Sequence, residues 1–448
     1  MIYNLEIMST IKFLGASGTV TGSCYLITSD SGTRIMIDCG MFQGSREISK
    51  LNYEPIDIDL SKLDGIILTH AHLDHSGRLP ILIKNGYKGP IYATEATIDL
   101  TNLVLLDTAK IAKENRDRTP LYSEIDAEFT IQAMVPVEYR KEFKIKEFSI
   151  TLHDAGHIIG SAIVEITIGG KRVVFSGDLG NSPEDLLRPT ETIALANTVV
   201  MEATYGDRTH SSQDIKQILT HEINEVEKTG GTLLIPAFSI ERTQELLHIL
   251  DHLKRNKSIL SDTLVYLDSP MAIKATQIYK KYRGLFSEEL RGHGKEDDPF
   301  DFPNLHLVQH ANDSRKIWET TGAKVIIAGS GMLNGGRIVR HLQNYLPIPT
   351  TRLLFVGFQA QDTLGARLIS APKIIKIHRK SIEVRAAVNK CSSLSAHADQ
   401  PKLLHWLNAM SGVKQIFLIH AEDKSREMFA NMINGAVLPK LHDVRNLF

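Results

Sequence analysis

Four side chains able to bind a metal ion lie within six consecutive positions of this chain. They are His70, His72, Asp74 and His75. Imidazole nitrogens and a carboxylate oxygen, without a thiolate, are the ligand set of a catalytic rather than a structural zinc site. They can converge only if the backbone turns tightly, and the buried-strand pattern of residues 63–68 supplies a strand end for that turn. The spacing therefore indicates a metal-dependent catalyst rather than a surface histidine cluster.

Four more polar residues follow apolar strands elsewhere in the chain. They are Asp38, His157, Asp178 and His420. A single aspartate at a strand end is most often a cap or turn residue. Strand ends on one side of a sheet are nevertheless where active sites are assembled. Together with the first cluster, these side chains supply enough ligands for two divalent ions, which can share a hydroxide nucleophile.

The elements that must position these residues change character near residue 206. Before that point the sequence is rich in strands, with hairpin signals and one helical run at residues 95–116. From residue 206 to about 372, strands alternate with helical runs, which predicts a parallel sheet covered by helices. The chain then returns to β character and ends with a helix, a strand and a final helix.

Length and composition set wide bounds on the function. The chain has 448 residues, enough for two or three domains, and its 42% hydrophobic and 23% charged residues are ordinary for a soluble protein. A net charge of −1 gives no global argument for a polyanionic partner, so binding to nucleic acid would need a local basic patch. Three cysteines argue against a disulfide framework. No segment is apolar enough to span a membrane and residues 1–7 lack a signal-peptide pattern, so we expect a cytoplasmic protein without a membrane partner.

The order of these motifs resembles a known superfamily. Asp38, the cluster at 70–75, His157 and Asp178 resemble the metallo-β-lactamase motifs, and segments 201–206, 395–399 and 419–420 resemble the additional motifs of the β-CASP nucleases. The run from Thr69 to Pro80 is most similar to prokaryotic homologues of the cleavage and polyadenylation endonuclease, which are related to RNase J. The resemblance covers essentially the whole chain.

The resemblance implies an α/β fold: a four-layer αββα metallo-β-lactamase domain with an inserted α/β β-CASP cap domain. We place the first part of the metallo-β-lactamase domain at residues 1–205, the cap at 206–372 and the second part at 373–448. Because no separate RNA-binding domain is visible, we expect substrate specificity to come from a cleft between the two domains or from partners.

The resemblance also implies the role of each ligand. The first Zn²⁺ would be held by His70, His72 and His157. The second Zn²⁺ would be held by Asp74, His75 and His420, with Asp178 bridging the two ions. Mn²⁺ is the alternative metal. Asp74 and Asp38 would both belong to the catalytic machinery, Asp38 by orienting a ligand imidazole.

A catalytic acid would complete this centre. By the resemblance, a metal-activated hydroxide would attack phosphorus, and His397, assisted by Glu202, would protonate the leaving 3′ oxygen. An acid is needed because an alkoxide leaves poorly, and imidazole titrates close to neutral pH. The structural alternative for His397 is a buried, hydrogen-bonded histidine.

Two helix starts are candidate phosphate contacts. The glycine-rich turn at 328–337 follows a strand and opens a helix, so its backbone N–H groups can approach an anion. The candidate residues are Ser330, Gly331 and Arg337 in this turn, and Arg242 and Thr243 at another helix start. A merely structural glycine turn is the alternative. The basic run at 376–380 is either a solvated surface run or a phosphate track, and it departs from family members that carry a glycine near His378.

We therefore predict a di-zinc ribonuclease that hydrolyses phosphodiester bonds of single-stranded RNA in RNA processing or decay. It would act as an endonuclease, with 5′-to-3′ exonuclease activity as a further mode, and the resemblance allows a homodimer. One alternative is a metallo-hydrolase of a small ester or thioester, against which the long insertion and the late His397 and His420 argue. Another is a non-catalytic RNA-binding subunit, which should have lost ligands that this chain retains. DNA is a further candidate substrate, although relatives specialised for DNA usually lack the histidine represented by His420.

Overall fold

A computed structural model describes residues 8–114, 119–181, 186–211, 213–292, 298–357, 359, 363–391 and 394–448. The chain forms two compact units. Unit 1 contains Met1–Thr209 and His397–Phe448, and unit 2 contains His210–Ala396. The N-terminal segment 1–7, for which the sequence predicts no signal peptide, lies outside the described residues. The domain boundaries predicted after residues 205 and 372 stay a prediction.

Strands and helices occur in both units of the described chain. The strands are β1 (Thr10–Phe13), β2 (Tyr25–Thr28), β3 (Arg34–Ile37), β4 (Gly65–Ile67), β5 (Ile91–Ala93), β6 (Met134–Pro136), β7 (Phe143–Ile145), β8 (Phe148–Asp154), β9 (Ala162–Ile168), β10 (Lys171–Phe175), β11 (Thr198–Glu202), β12 (Thr232–Pro236), β13 (Leu264–Leu267), β14 (Leu305–Leu307), β15 (Lys324–Ala328), β16 (Thr351–Phe355), β17 (Ile374–Ile377), β18 (Lys380–Glu383), β19 (Ala387–Lys390), β20 (Gln415–Ile419), β21 (Ala436–Val437) and β22 (Val444–Asn446). The α-helices are α1 (Arg46–Lys50), α2 (Leu73–Ser76), α3 (Leu79–Lys84), α4 (Glu95–Glu114), α5 (Glu124–Gln132), α6 (Ile215–Thr229), α7 (Arg242–Arg255), α8 (Pro270–Lys281), α9 (Glu288–Gly292), α10 (Ala311–Lys316), α11 (Arg337–Tyr345), α12 (Leu364–Ile369), α13 (Gln400–Asn408) and α14 (Asp423–Ala430). The predicted helix at 95–116 is confirmed to Glu114, and its last two positions lie outside the described residues.

Unit 1 is built on two seven-stranded sheets. Their strand orders are β22-β1-β2-β3-β4-β5-β6 and β21-β20-β11-β10-β9-β8-β7. In β8, the buried residues Phe148, Ile150 and Leu152 alternate with partly exposed ones, as expected for a strand with one face in the core. These three side chains pack with apolar residues of the other sheet in one continuous core. The two sheets therefore form a sandwich.

Helices cover the outer face of each sheet. On the second sheet, Val199 and Met201 of β11 pack with Trp406 of α13 and Phe429 of α14. On the first sheet, the corresponding outer core includes Ile66 of β4 and residues of α3. The order helix, sheet, sheet, helix confirms the predicted four-layer α/β architecture.

The candidate ligands of unit 1 lie just after the carboxyl ends of strands. Asp38 follows β3, His70 follows β4, Asp178 follows β10 and His420 follows β20, whereas Glu202 is the last residue of β11. The strands β3 and β4 run parallel, as do β10, β11 and β20. Because the carboxyl ends of parallel strands meet at one edge of a sheet, the polar residues of each sheet gather at one edge.

Unit 2 is an α/β unit with a six-stranded sheet. Its order is β14-β13-β15-β12-β16-β19, and every neighbouring pair is parallel. This confirms the parallel sheet that the strand–helix alternation predicts. The antiparallel hairpin β17–β18 forms a separate small sheet. In the part of the chain that the structure describes, no helix combines the length and apolar character needed to cross a membrane.

Candidate metal centre

Three imidazoles of unit 1 meet beside the loop that follows β4. The Nδ1 atom of His72 lies 3.1 Å from Nε2 of His70 and 3.2 Å from Nε2 of His157. The carboxylate of Asp178 adjoins them, with Oδ2 at 3.5 Å from Nε2 of His70 and 3.7 Å from Nε2 of His157. These three nitrogens and one oxygen, all within 4.8 Å of one another, form what we call the first ligand set.

A second ligand set uses the other half of the same sequence cluster. The short helix α2 begins directly after His72, so Asp74 and His75 lie on a helical turn. The Nε2 atom of His420 is 3.3 Å from Oδ2 of Asp74, and Nε2 of His75 is 3.3 Å from Oδ1 of Asp178. Nε2 of His420 is 3.6 Å from the same Oδ1. The turn into α2 therefore places His70 and His72 in the first ligand set and Asp74 and His75 in the second.

The residues of both sets fit divalent cations. Asp178 turns Oδ2 toward the first set and Oδ1 toward the second, and the residue is only 1% exposed. Its Oδ1 atom is buried and accepts no hydrogen bond within the described part of the chain. A buried carboxylate oxygen without a donor is destabilising, and a cation would satisfy it. Imidazole nitrogens and carboxylate oxygens are suitable donors for zinc and similar ions.

The protonation states of His70, His72, Asp74 and Asp178 also suit metal binding. Burial lowers the pKa of His70 well below its usual value and lowers that of His72 to about 4. Burial would raise the pKa of Asp178, but the surrounding imidazoles, His420 and His75 foremost, hold it well below the usual range. Burial would also raise the pKa of Asp74, but the hydrogen bond with His420 and the charges of His75 and His420 together lower it to about 2. Neutral imidazoles and ionised carboxylates are the forms that bind metal. Burial would lower the pKa of His75, but the charges of Asp178 and Asp38 raise it well above its usual value, so His75 must release its Nε2 proton when a metal ion binds.

Asp38 lies behind the second set and contacts His75. Its Oδ2 is 2.7 Å from Nδ1 of His75, so the ring donates its Nδ1 proton to Asp38 and turns Nε2 toward Asp178. Thr69 donates twice to this carboxylate, from its amide at 2.7 Å and from its hydroxyl at 2.8 Å. The same hydroxyl oxygen lies 3.1 Å from Nδ1 of His70 and can accept its proton. The structure therefore places Asp38 beside a ligand imidazole and adds Thr69, which the sequence did not single out.

A second threonine outside the predicted site orients His420. The hydroxyl of Thr204 donates to the carbonyl oxygen of His420 at 3.0 Å, and its oxygen lies 3.1 Å from Nδ1 of the same ring. The Nδ1–H group can therefore donate to Thr204, which leaves Nε2 for the second ligand set. Thr204 lies two positions after Glu202, within the motif at residues 201–206. Only the fold, however, brings it to a histidine 216 positions away.

His397 and Glu202 form a pair beside the first ligand set. Nδ1 of His397 lies 3.2 and 3.3 Å from the carboxylate oxygens of Glu202, and its Nε2 lies 3.9 Å from Oδ2 of Asp178. Glu202 is fully buried and accepts a hydrogen bond from the amide of Leu179 at 2.7 Å. Burial opposes protonation of His397, but the negative charges of Glu202 and Asp178 raise its pKa to about 9. The 21% exposed imidazole thus holds a proton at neutral pH.

Two of the predicted phosphate contacts lie in the interior of unit 2. Arg242 is buried and forms an ion pair with Glu245 in the first turn of α7. The hydroxyl of Thr243 donates to the carbonyl oxygen of Phe238 at 2.7 Å. Both side chains therefore stabilise the start of the helix, and their assignment to substrate phosphate stays a prediction.

The other three candidates lie at the start of α11. Nη1 of Arg337 donates to Oδ1 of Asp268 at 2.7 Å, and Nη2 donates to the carbonyl oxygen of Gln309 at 2.6 Å. The hydroxyl of Ser330 lies 3.4 Å from a carbonyl oxygen of its own turn, and a Cβ added to Gly331 would come within 2.9 Å of the ring of Phe238. The structure gives each of these residues a contact within unit 2, and their assignment to phosphate also stays a prediction.

Comparisons with known proteins place the chain in a family. Three family models match: the Metallo-beta-lactamase superfamily at residues 17–235, the Beta-Casp domain at 243–368 and the Zn-dependent metallo-hydrolase RNA specificity domain at 381–438. Ribonuclease TTHA0252 of Thermus thermophilus is 40% identical over 92% of this chain and 92% of its own length. Transcription termination factor FttA of Methanocaldococcus jannaschii is 32% identical over 94% of this chain and 68% of its own length.

A solved structure shares the fold at low sequence identity. A protein of unknown function from Enterococcus faecalis matches with a TM-score of 0.57 and 12% identity, over 98% of this chain and 99% of its own. At that identity the match supports the fold alone. The family models, the Thermus relative and the two ligand sets agree with one another. This chain belongs to the β-CASP ribonuclease group of the metallo-β-lactamase superfamily and is a metal-dependent hydrolase.

Proposed function

We propose that this protein is a di-zinc ribonuclease that hydrolyses phosphodiester bonds of single-stranded RNA, chiefly as an endonuclease, with 5′-to-3′ exonuclease activity as a further mode. The observation that carries the proposal is the position of Asp178, which contacts two ligand sets and lies beside the imidazole of His397. RNA is supported as the substrate by a relative named a ribonuclease and by a matching family model described as an RNA specificity domain. Cytoplasmic localisation and homodimerisation stay predictions.

In this proposal the first zinc would be held by His70, His72 and His157. The second would be held by Asp74, His75 and His420, and the carboxylate of Asp178 contacts residues of both sets. When bound, two divalent ions supply Lewis acidity and lower the pKa of coordinated water, which is the chemistry that phosphodiester hydrolysis requires. The protein contributes the orientation of the rings: Asp38 fixes His75 and Thr204 fixes His420. All of these residues belong to unit 1.

The chain supplies the proton for the leaving group. Hydrolysis joins a water oxygen to phosphorus and breaks the P–O3′ bond, which leaves a 5′-phosphate and a 3′-oxygen that must be protonated. With Nδ1 of His397 against Glu202, the second ring proton lies on Nε2, the atom that faces Asp178. We assign His397 as the general acid and Glu202 as the residue that orients it. Its partly exposed ring can regain a proton from solvent after each turnover.

The decisive experiment is cleavage of one single-stranded RNA labelled separately at its 5′ and 3′ ends, with and without a chelator. Internal fragments that disappear with chelator and return with added zinc are the expected result. Release of 5′ mononucleotides alone would establish a 5′-to-3′ exonuclease instead. If zinc-loaded protein leaves the RNA intact but hydrolyses a thioester, the substrate proposal is wrong, although the metal centre is retained.

A further inference from the structure

The hairpin β17–β18 in unit 2 carries basic residues at an unusual turn. Ile377 pairs with Lys380, so His378 and Arg379 form a two-residue turn. Both have left-handed backbones, with φ of 46° and 66°. Two-residue turns with positive φ at both positions favour Asn-Gly, because a Cβ atom disfavours this conformation. Here histidine and arginine occupy the two positions instead. Non-glycine residues held in this conformation are often found at functional sites.

The core of unit 2 and helix α11 anchor the hairpin. Ile375 and Ile377 of β17 are buried in the core of unit 2, whereas the tip is exposed. The side-chain amide of Gln343 on α11 lies 3.1 Å from Nδ1 of His378 and can donate to it. Arg340 lies one turn before Gln343 on the same helix and is exposed. The exposed tip is therefore anchored by the buried residues of β17 and by Gln343, and the basic residue Arg340 lies on the helix beside it.

The exposed residues at and beside this tip include four Lys or Arg side chains and one histidine. We call Arg340, Lys376, His378, Arg379 and Lys380 the hairpin-tip cluster. Residues 373–380 contain four Lys or Arg and no Asp or Glu, in a chain whose net charge is −1. The hairpin's own acidic residue, Glu383, pairs with Arg385 at 2.9 Å. Across the described ranges, no carboxylate forms an ion pair with Lys376, Arg379 or Lys380.

In the sequence, the turn of this hairpin lies between the regions that two of the family models match. The Beta-Casp match ends at residue 368 and the RNA specificity match begins at 381. We infer that the hairpin-tip cluster, none of whose residues is a candidate metal ligand, binds the phosphodiester backbone of RNA. The inference rests on the proposed function, since it takes RNA as the substrate. Contacts of this kind add affinity and depend on salt, but they carry no sequence information.

Salt-dependent binding tests the cluster. The test variant is Lys376→Gln/Arg379→Asn/Lys380→Gln. The control variant is Lys257→Asn/Lys274→Gln/Arg315→Gln, which removes the same charge from exposed positions of unit 2 and, at Lys257, also substitutes a left-handed residue. The probe is a fluorescein-labelled 30-nucleotide poly(U) strand, titrated in chelator at several KCl concentrations. The slope of log K against log[KCl] should become shallower by about 2 in the test variant, at about 0.7 per lost phosphate contact. The control should keep the wild-type slope.

Two further measurements distinguish loss of phosphate contacts from damage to the metal centre or to the fold. The test variant should hydrolyse bis(p-nitrophenyl) phosphate at the wild-type rate, since this small diester needs only the metal centre. Arg379→Asn alone should keep or raise the melting temperature, because Asn tolerates the left-handed region, and should change the slope by about 0.7. Equal slopes in test and control variants, with wild-type RNA binding intact, would overturn the inference alone. A wild-type protein that neither binds nor cleaves RNA would overturn the proposed function and the inference together.

Discussion

Two buried aspartates that follow strands in this protein have opposite surroundings. In unit 2, Asp268 follows β13, and its oxygens accept hydrogen bonds from Arg337 at 2.7 Å and from Ser314 at 2.6 Å, with His341 at 2.7 Å. In unit 1, Asp178 is just as buried but faces imidazole nitrogens, and its Oδ1 has no hydrogen-bond donor among the residues that the structure describes. In unit 2, donors from the protein satisfy the carboxylate of the aspartate. In unit 1, one carboxylate oxygen of the aspartate is available to a cation.

The histidines beside these aspartates differ in the same way. His341 is fully buried, and because its Nδ1 accepts from the indole of Trp318 at 3.1 Å, its Nε2 proton is committed to Asp268. His397 lies between two carboxylates, is partly exposed and has a raised pKa. A histidine whose two nitrogens are both used inside the core is structural, whereas one that keeps a proton next to an unsatisfied carboxylate is suited to acid catalysis.

The largest expected effect comes from Asp178→Ala. Because both ligand sets share this carboxylate, we expect the purified variant to lose bound metal and to lose turnover by about 10³-fold or more. Elemental analysis after gel filtration measures the metal, and RNA cleavage measures the turnover. Asp268→Asn provides the control and should keep the wild-type metal content. Unchanged metal in Asp178→Ala would remove this residue from the ligand set.

His397→Ala should separate acid catalysis from metal binding. We expect turnover to fall by about 100-fold or more, the usual scale for loss of an acid catalyst, while the metal content stays near that of the wild type. His341→Ala is the matched variant in unit 2 and should keep the turnover of the molecules that remain folded. Parallel loss of metal and activity in His397→Ala would make this residue a ligand rather than an acid.

Asp268→Asn should weaken unit 2 without affecting the metal centre. Removing one partner of a buried ion pair leaves Arg337 uncompensated, so we expect a loss of about 3 kcal/mol in the free energy of unfolding of this unit. The chain has two tryptophans, one in each unit, so a Trp406→Phe background makes fluorescence report on Trp318 alone. A denaturation midpoint equal to that of the background protein would mean that the Asp268 network contributes little.

The sequence predicts the candidate ligands and two orienting carboxylates, Asp38 and Glu202, but not the threonines that contact the ligand rings. The cluster at 70–75 is visible because its members are adjacent, and the parallel sheet is visible because strands and helices alternate. The contact between Thr204 and His420 joins residues 216 positions apart, so no local pattern contains it. Arg337 stands at a glycine-rich helix start typical of phosphate sites, and only the fold shows that its guanidinium contacts Asp268. Which donor meets which carboxylate is decided by packing between distant segments.

Thr204→Val tests whether such an orienting contact matters for metal affinity. Valine keeps the shape but cannot accept the Nδ1 proton of His420, so we expect the affinity of the second ligand set to fall about 10-fold. Competition with a chelating dye measures this affinity. Thr243→Val, a buried threonine of unit 2, is the matched control and should leave it unchanged. Equal affinities in both variants would show that Thr204 stabilises the backbone of His420 rather than its ring.

The smallest effect concerns a third type of histidine site, in which carboxylates satisfy the ring without a metal. His153 lies 2.9 Å from Glu165 and 3.5 Å from Glu191. Burial alone would lower its pKa, but the hydrogen bonds to these carboxylates raise it to about 9. Because this value exceeds the ordinary 6.5, protonated His153 stabilises the fold fully below pH 6.5, and the contribution is lost as the pH rises through about 9. Solvent screens this partly exposed ion pair. We therefore expect the free energy of unfolding of wild type to exceed that of His153→Gln by about 1 kcal/mol near pH 6 and to equal it above about pH 9.5. Urea denaturation at both pH values measures the difference, and a gap that stays constant or widens at high pH would contradict this assignment.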